Sequence, residues 1–153
     1  MQTKQYLQEL KRLDTCIHQR LQEKQSLYDS TVGAVRTDKE RVQASTSADA
    51  LPNLIARIET IEQEIDRQLD DYIQLKHRMI NQIHGLDNEA YISMLHKRYV
   101  EFKRLEEIAV EMNYTYSYAR TLHGKALLEF NQKFATEIEL YKSPYTIVHS
   151  DVL

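Results

Sequence analysis

Ile58, Ile65, Tyr72 and Met79 stand seven residues apart, and Leu51, Ile55, Ile61, Leu69, Ile73, Ile80 and Ile83 thicken the same stripe. Heptads sustained over this length predict one coiled-coil-like helix. Pro52 suits its first turn and Gly85 suits its C-cap, so it should run to about His84. At ~1.5 Å rise per residue, about 33 residues span roughly 50 Å, more than one small globular core covers. Such a helix needs a partner. Residues 3–29 are the nearest segment with a matching stripe, formed by Tyr6, Leu7, Leu10, Leu13, Ile17, Leu21, Leu27 and Tyr28. A long antiparallel helical hairpin is the first arrangement expected, and self-association of two chains through the stripe is the second.

Composition agrees with helices. Among 153 residues there are 3 Gly and 2 Pro, far below the roughly 12% of average usage. A β-sandwich, a barrel or a Gly-rich nucleotide fold needs those residues at its turns, so the fold class expected is all-α. Cys16, the single cysteine, has no partner for an internal disulfide or a zinc site, and with Leu13 and Ile17 nearby it reads as a buried small hydrophobe. The first twelve residues lack the apolar core of a secretion signal, and no apolar run approaches the ~18 residues of a membrane span. A soluble, cytoplasmic chain without a membrane partner is expected.

Between Ser30 and Ala50 the period dissolves into Ser, Thr, Ala and Asp, which reads as a connector with a short ordered stretch at Arg41–Ser45 and a helix start at Ser47 or Asp49. After the long helix, Asp87 is placed to cap a helix from Asn88 to about Val100, with Tyr91, Ile92, Leu95 and Tyr99 on one face. Leu105–Met112 follows, then a break at Asn113 and Tyr114, then a helix from about Tyr116 to Leu140. Residues 141–153, with Pro144, show no period. The domains expected are therefore 1–85, 86–140 and a loosely held tail, 141–153.

Residues 105–124 fit a helix-turn-helix. Two helices crossing steeply over a short turn need a small residue at the crossing, here Ala109, and apolar residues around it, here Ile108, Met112, Tyr114, Ala119 and Leu122. Asn113 stands where the turn wants positive φ, and Thr115 is placed to cap the second helix. Leu95, Arg98, Tyr99, Leu105, Glu107, Ile108, Ala109, Arg120, Ala126 and Leu127 together resemble the fourth, promoter-binding region of primary-type sigma factors. Over most of its length the chain resembles small phage and prophage proteins with a sigma-like C-terminal half, the ArpU-like regulators of late genes. Asn113 in place of the usual turn Gly, and Tyr116 and Tyr118 in place of small residues, depart from the sigma pattern. The resemblance implies a DNA-binding transcription regulator acting at promoter DNA, with or beside host RNA polymerase. It implies no particular target sequence.

With Ala119 and Leu122 inward, Tyr116, Ser117, Arg120, Thr121 and Gly124 face outward on the second helix, whose first turns would enter a major groove. Arg120 suits two-donor recognition of guanine, Ser117 and Thr121 reach bases or phosphates, and Tyr116 suits a sugar or a thymine methyl. Thr115 belongs to the same surface. Lys125, Lys103, Arg104 and Lys97 would meet phosphates, positioning without reading. Plainer readings stand beside these: Arg98 as a salt bridge to Glu101 or Glu107, Tyr114 as core, Tyr116 as an ordinary aromatic, Arg120 as a solvated side chain. Gly124 would be explained by another backbone approaching closely.

The net charge of −3 argues against a nucleic-acid partner only if it is spread evenly. It is not: residues 51–90 carry 4 basic and 8 acidic side chains, while residues 91–153 carry 8 of each. His77 and His84 have no ligand partner at metal spacing, and Glu62, Asp66 and Asp70 read as a solvated helix face. No phosphate-binding glycine loop or nucleophile motif is present, so an enzyme, a metal and a cofactor are not expected. The partners expected are double-stranded DNA, host RNA polymerase and a second copy of the chain. The rival expectation is a helical adaptor or inhibitor that occupies polymerase without reading DNA.

Overall fold

The computed structural model describes residues 2–38 and 50–144, with side chains for 2–33 and 50–144. Within them the chain is all-helical: α1 (Thr3–Asp38), α2 (Ala50–His84), α3 (Glu89–Tyr99), α4 (Leu105–Glu111) and α5 (Tyr116–Leu140), with no strand among the described residues. Arg41–Ser45, the start expected at Ser47 or Asp49, and the tail beyond Pro144 lie outside the described residues. No described helix is long and apolar enough to cross a membrane.

α1 does not stop at Asp29. It continues to Asp38, and within it Ser30 and Thr31 donate their hydroxyls to the carbonyls of Ser26 and Leu27, each at 2.9 Å. α2 carries Pro52 in its first turn and ends at His84, where the Gly85 amide donates to the Asn81 and Gln82 carbonyls at 3.1 and 3.0 Å. Gly85 is not in the left-handed region usual for a C-cap glycine. Its lack of a side chain answers crowding instead: a Cβ there would lie 3.2 Å from the Gln82 carbonyl and 3.3 Å from Phe134 Cζ.

By its contacts the chain divides into two compact units, one of Met1–Arg12 with Leu75–Leu153 and one of Leu13–Gln74. The divide falls inside α1 and α2.

In the unit of residues 13–74, Leu13, Ile17, Ile58, Ile61 and Ile65 are buried along one seam. Arg20 pairs with Glu64 at 3.2 Å and Lys24 with Glu62 at 3.1 Å, so partners recede along α2 as they advance along α1. Gln68 takes a seam position and is buried with its Oε1 unbonded. Three residues assigned to the α2 stripe stay outside it: Ile55, Leu69 and Ile73 are exposed, as are Leu21 and Tyr28 of α1. At 3.6 residues per turn these positions drift onto the flank of the Ile58–Ile65 row. Cys16 is half-buried, not buried, since it sits on the seam's opposite margin beside Gln19 and Gln68.

The other unit packs residues 3–12, the end of α2, α3, α4 and α5. Tyr6, Leu7, Leu10, Met79, Ile83, Met94, Leu95, Ile108, Phe130 and Ile138 are almost wholly buried, each such side chain stabilising by about 1.5–3 kcal/mol relative to exposure. Tyr6 donates its hydroxyl to Gln82 Oε1 at 2.7 Å, with its ring against Phe130 and edge-on to Tyr141. α3 is capped by Asn88, whose side chain accepts from the Ala90 amide at 2.9 Å, rather than by Asp87. Asp87 is held elsewhere: its amide donates to Glu129, and its carboxylate pairs with Lys133 at 3.7 Å.

Candidate nucleic-acid interface

α4 is only seven residues long, and its place is set by what packs beneath it. Ile108 and Ala109 are buried with Met94, Ala119 and Leu122, and Leu105, Met112 and Tyr114 pack against that cluster. Ala109 sits at the crossing, where a larger side chain would part the helices. Asn113 adopts φ 57, the left-handed conformation that Asn tolerates better than most residues. It lets the Tyr114 amide reach back to the Ala109 carbonyl at 2.8 Å. Thr115 then caps α5, its hydroxyl oxygen accepting from the Tyr118 amide at 3.1 Å.

Tyr116, Ser117, Arg120, Thr121, Gly124 and Lys125 are all exposed along the first turns of α5. The Arg120 guanidinium lies 5.9 Å from the Tyr116 ring centroid, and Thr121 donates to the Ser117 carbonyl at 3.2 Å. Neither Arg120 nor Lys125 has a carboxylate within ion-pair distance among the described residues, and both are exposed. Tyr114 and Tyr118 meet edge-on at 4.7 Å, Tyr114 half-buried and Tyr118 exposed. Gly124 has nothing within 4 Å of where a Cβ would stand, so no backbone among the described residues accounts for it.

The cations assigned to phosphate fare differently. Lys103 reaches Glu111 at 2.7 Å and Glu101 at 3.5 Å, and Lys97 reaches Glu111 at 2.8 Å. The hydrogen bond from Lys103, followed by that from Lys97, holds the Glu111 carboxyl below its usual range, and the same bond raises Lys103. Both lysines are thus paired with carboxylates of the chain itself. Arg104 is 74% exposed on its side chain and lies 3.6 Å from Glu107, which also accepts from the Arg104 amide at 3.0 Å. Arg98 forms no salt bridge with Glu101 or Glu107. It donates to the Lys103 carbonyl at 2.9 Å, bracing a connection in which Phe102 takes φ 59, a strained conformation for a bulky residue.

Three features escaped the sequence reading. Val110 is 78% exposed beside the buried Ala109, which a step of ~100° per residue requires on so short a helix. Glu111 quenches two lysines at once, a pairing between α3 and α4 that no spacing along the chain signals. Tyr99 and His123 join α3 to α5, the Tyr99 hydroxyl 2.7 Å from His123 Nε2. Burial, with the nearby Arg98 charge, drives His123 down to about 4, and burial pushes Tyr99 up to about 12. Compared with family models, with curated proteins and with solved structures, the chain matches none.

Proposed function

We propose that the chain is a phage-type DNA-binding transcription regulator, built as a long antiparallel helical hairpin followed by a sigma-like helix-turn-helix at α4 and α5. In this reading it activates late genes at promoter DNA, with or beside host RNA polymerase, and performs no catalysis. The observation that carries it is the outward row of Tyr116, Ser117, Arg120, Thr121 and Gly124 on α5, directly after a positive-φ turn and a capped first turn. Arg120 reads a base, Ser117 and Thr121 meet bases or phosphates, and Lys125 and Arg104 meet the backbone. Gly124 admits that backbone closely.

Gel shifts on promoter duplexes upstream of late phage genes test the reading. Arg120→Ala should weaken the specific site by about 1–3 kcal/mol and random duplex far less. Equal loss on both removes Arg120 from base readout, and no binding at low salt removes DNA altogether. The second reading, an adaptor or inhibitor on RNA polymerase, draws support from Lys97 and Lys103, whose charges Glu111 and Glu101 already take up. Polymerase capture without duplex binding would select it.

A further inference from the structure

Within residues 13–74, every large apolar side chain left exposed among the described residues lies on one flank of the helix pair. On α2 these are Ile55, Leu69 and Ile73, and on α1 Leu21, Tyr28 and Val32, between 38% and 62% exposed. The α2 set belongs to a row at 55, 59, 62, 66, 69 and 73, and the α1 set to a row at 21, 25, 28 and 32. Steps of four and three confine each row to about a quarter of the helix circumference. The two rows share one side, because the Tyr28 hydroxyl donates to Glu62 Oε1 at 3.3 Å between them. The other side is a groove edged by Arg20, Glu23, Asn53, Arg57, Thr60 and Glu64, where no large apolar residue is exposed.

Charge divides along the same line. The apolar side carries Glu59, Glu62 and Asp66 within its α2 row, Asp70 beside it, and Asp14 and Asp29 on α1, with no Lys or Arg in either row. Lys24 reaches Glu62 from the seam. Across α2, Arg57, Glu64, Arg67 and Asp71 balance one another. Much of the acidic excess of residues 51–90 is thus set among exposed Ile and Leu side chains.

The geometry points to this flank as a docking face for a basic amphipathic helix of another protein, its apolar residues seated on Ile55, Leu69, Ile73, Leu21 and Val32 and its lysines and arginines meeting the carboxylates. A two-fold pairing of identical flanks sets acid against acid, which disfavours a second copy of the chain. A helix presenting apolar anchors every third or fourth residue with basic flanks satisfies both features of the surface. The inference is independent of whether α5 meets DNA.

Two synthetic amphipathic helices with one leucine stripe, one flanked by lysine and one by glutamate, test it against the full chain by fluorescence anisotropy. The lysine-flanked helix should bind at least ~10-fold more tightly, about 1.4 kcal/mol, and lose that advantage as salt rises. Leu69→Ser with Ile73→Ser should weaken it by about tenfold with helicity unchanged by circular dichroism, whereas Arg67→Gln on the other side should not. Equal binding of both helices, or binding of neither, overturns the proposal. So does a dimer in sedimentation that Ile73→Ser dissociates, which gives the flank to a second copy. Duplex binding by the same variants separates failure here from failure of the DNA reading.

Discussion

The α4–α5 crossing and the paired segments of residues 13–38 and 50–74 are both helix-on-helix contacts, yet they treat apolar residues in opposite ways. At the crossing, Ile108, Ala109, Ala119 and Leu122 are turned inward, and the outward face of the first turns of α5 is hydroxyl, aromatic and cationic, with Val110 the one large apolar side chain of α4 left exposed. In the paired segments the seam takes Ile58, Ile61 and Ile65 but leaves Ile55, Leu69 and Ile73 in water among carboxylates. The α4–α5 contact around Ala109 buries the apolar side chains that face it. A long, shallow pairing of two helices leaves some out, since each helix carries more apolar positions than one neighbour covers.

The largest expected effect tests that contrast directly. Ile108→Ala should cost about 2–5 kcal/mol in denaturant unfolding, whereas Ile73→Ser should stay within about 0.5 kcal/mol. Comparable losses would mean the flank is part of the interior. Next comes acid. Between pH 6.5 and 4 an unfolded chain binds the proton that folded His123 refuses, so stability is full above pH 6.5 and falls as pH drops through that window. His123→Gln should flatten that slope in urea melts taken at each pH, and an unchanged slope would place the acid sensitivity elsewhere.

Two glycines sharpen the comparison further. Gly33 in α1 and Gly124 in α5 both have no described atom within 4 Å of where a Cβ would stand, so Gly33→Ala and Gly124→Ala should each raise stability by about 1 kcal/mol. Only Gly124→Ala should lower duplex affinity. If neither does, Gly124 is a helix defect rather than a contact. The smallest effect concerns Glu111. Glu111→Gln should free Lys97 and Lys103 and steepen the salt dependence of random-duplex binding by about 0.9 per added phosphate contact, with specific-site preference reduced.

Much of this was readable from residue order, for reasons that differ by element. Helix content followed from 3 Gly and 2 Pro in 153 residues. The Asn113 turn and the Thr115 cap were legible because each rests on a local rule, positive φ in one case and a side-chain acceptor in the other. The outward residues of α5 followed from the inward pair Ala119 and Leu122 by helical phase alone. What could not be read depended on partners distant in sequence. Lys97 and Lys103 were expected at phosphates, and no spacing signalled that Glu111 pairs with both. Asp87 looked like a cap, but Lys133 and Glu129 engage it and Asn88 does the capping. Gly85 ends α2 as expected, but part of the reason for a glycine there, Phe134 beside the Gln82 carbonyl, comes from far along the chain.

Tyr6 bonds Gln82, Thr3 bonds Asn131 and Glu9 bonds Ser143, so residues 3–9 close onto partners 76, 128 and 134 positions later. That interior therefore cannot be completed until residues 3–9 meet partners as far along the chain as Asn131 and Ser143, while residues 13–74 find their partners at shorter separations. Long loop closure slows such assembly. Deleting residues 3–12 should impair the packing of α3–α5, because it strips Tyr6 from Phe130 and Gln82 although α3, α4 and α5 themselves are untouched.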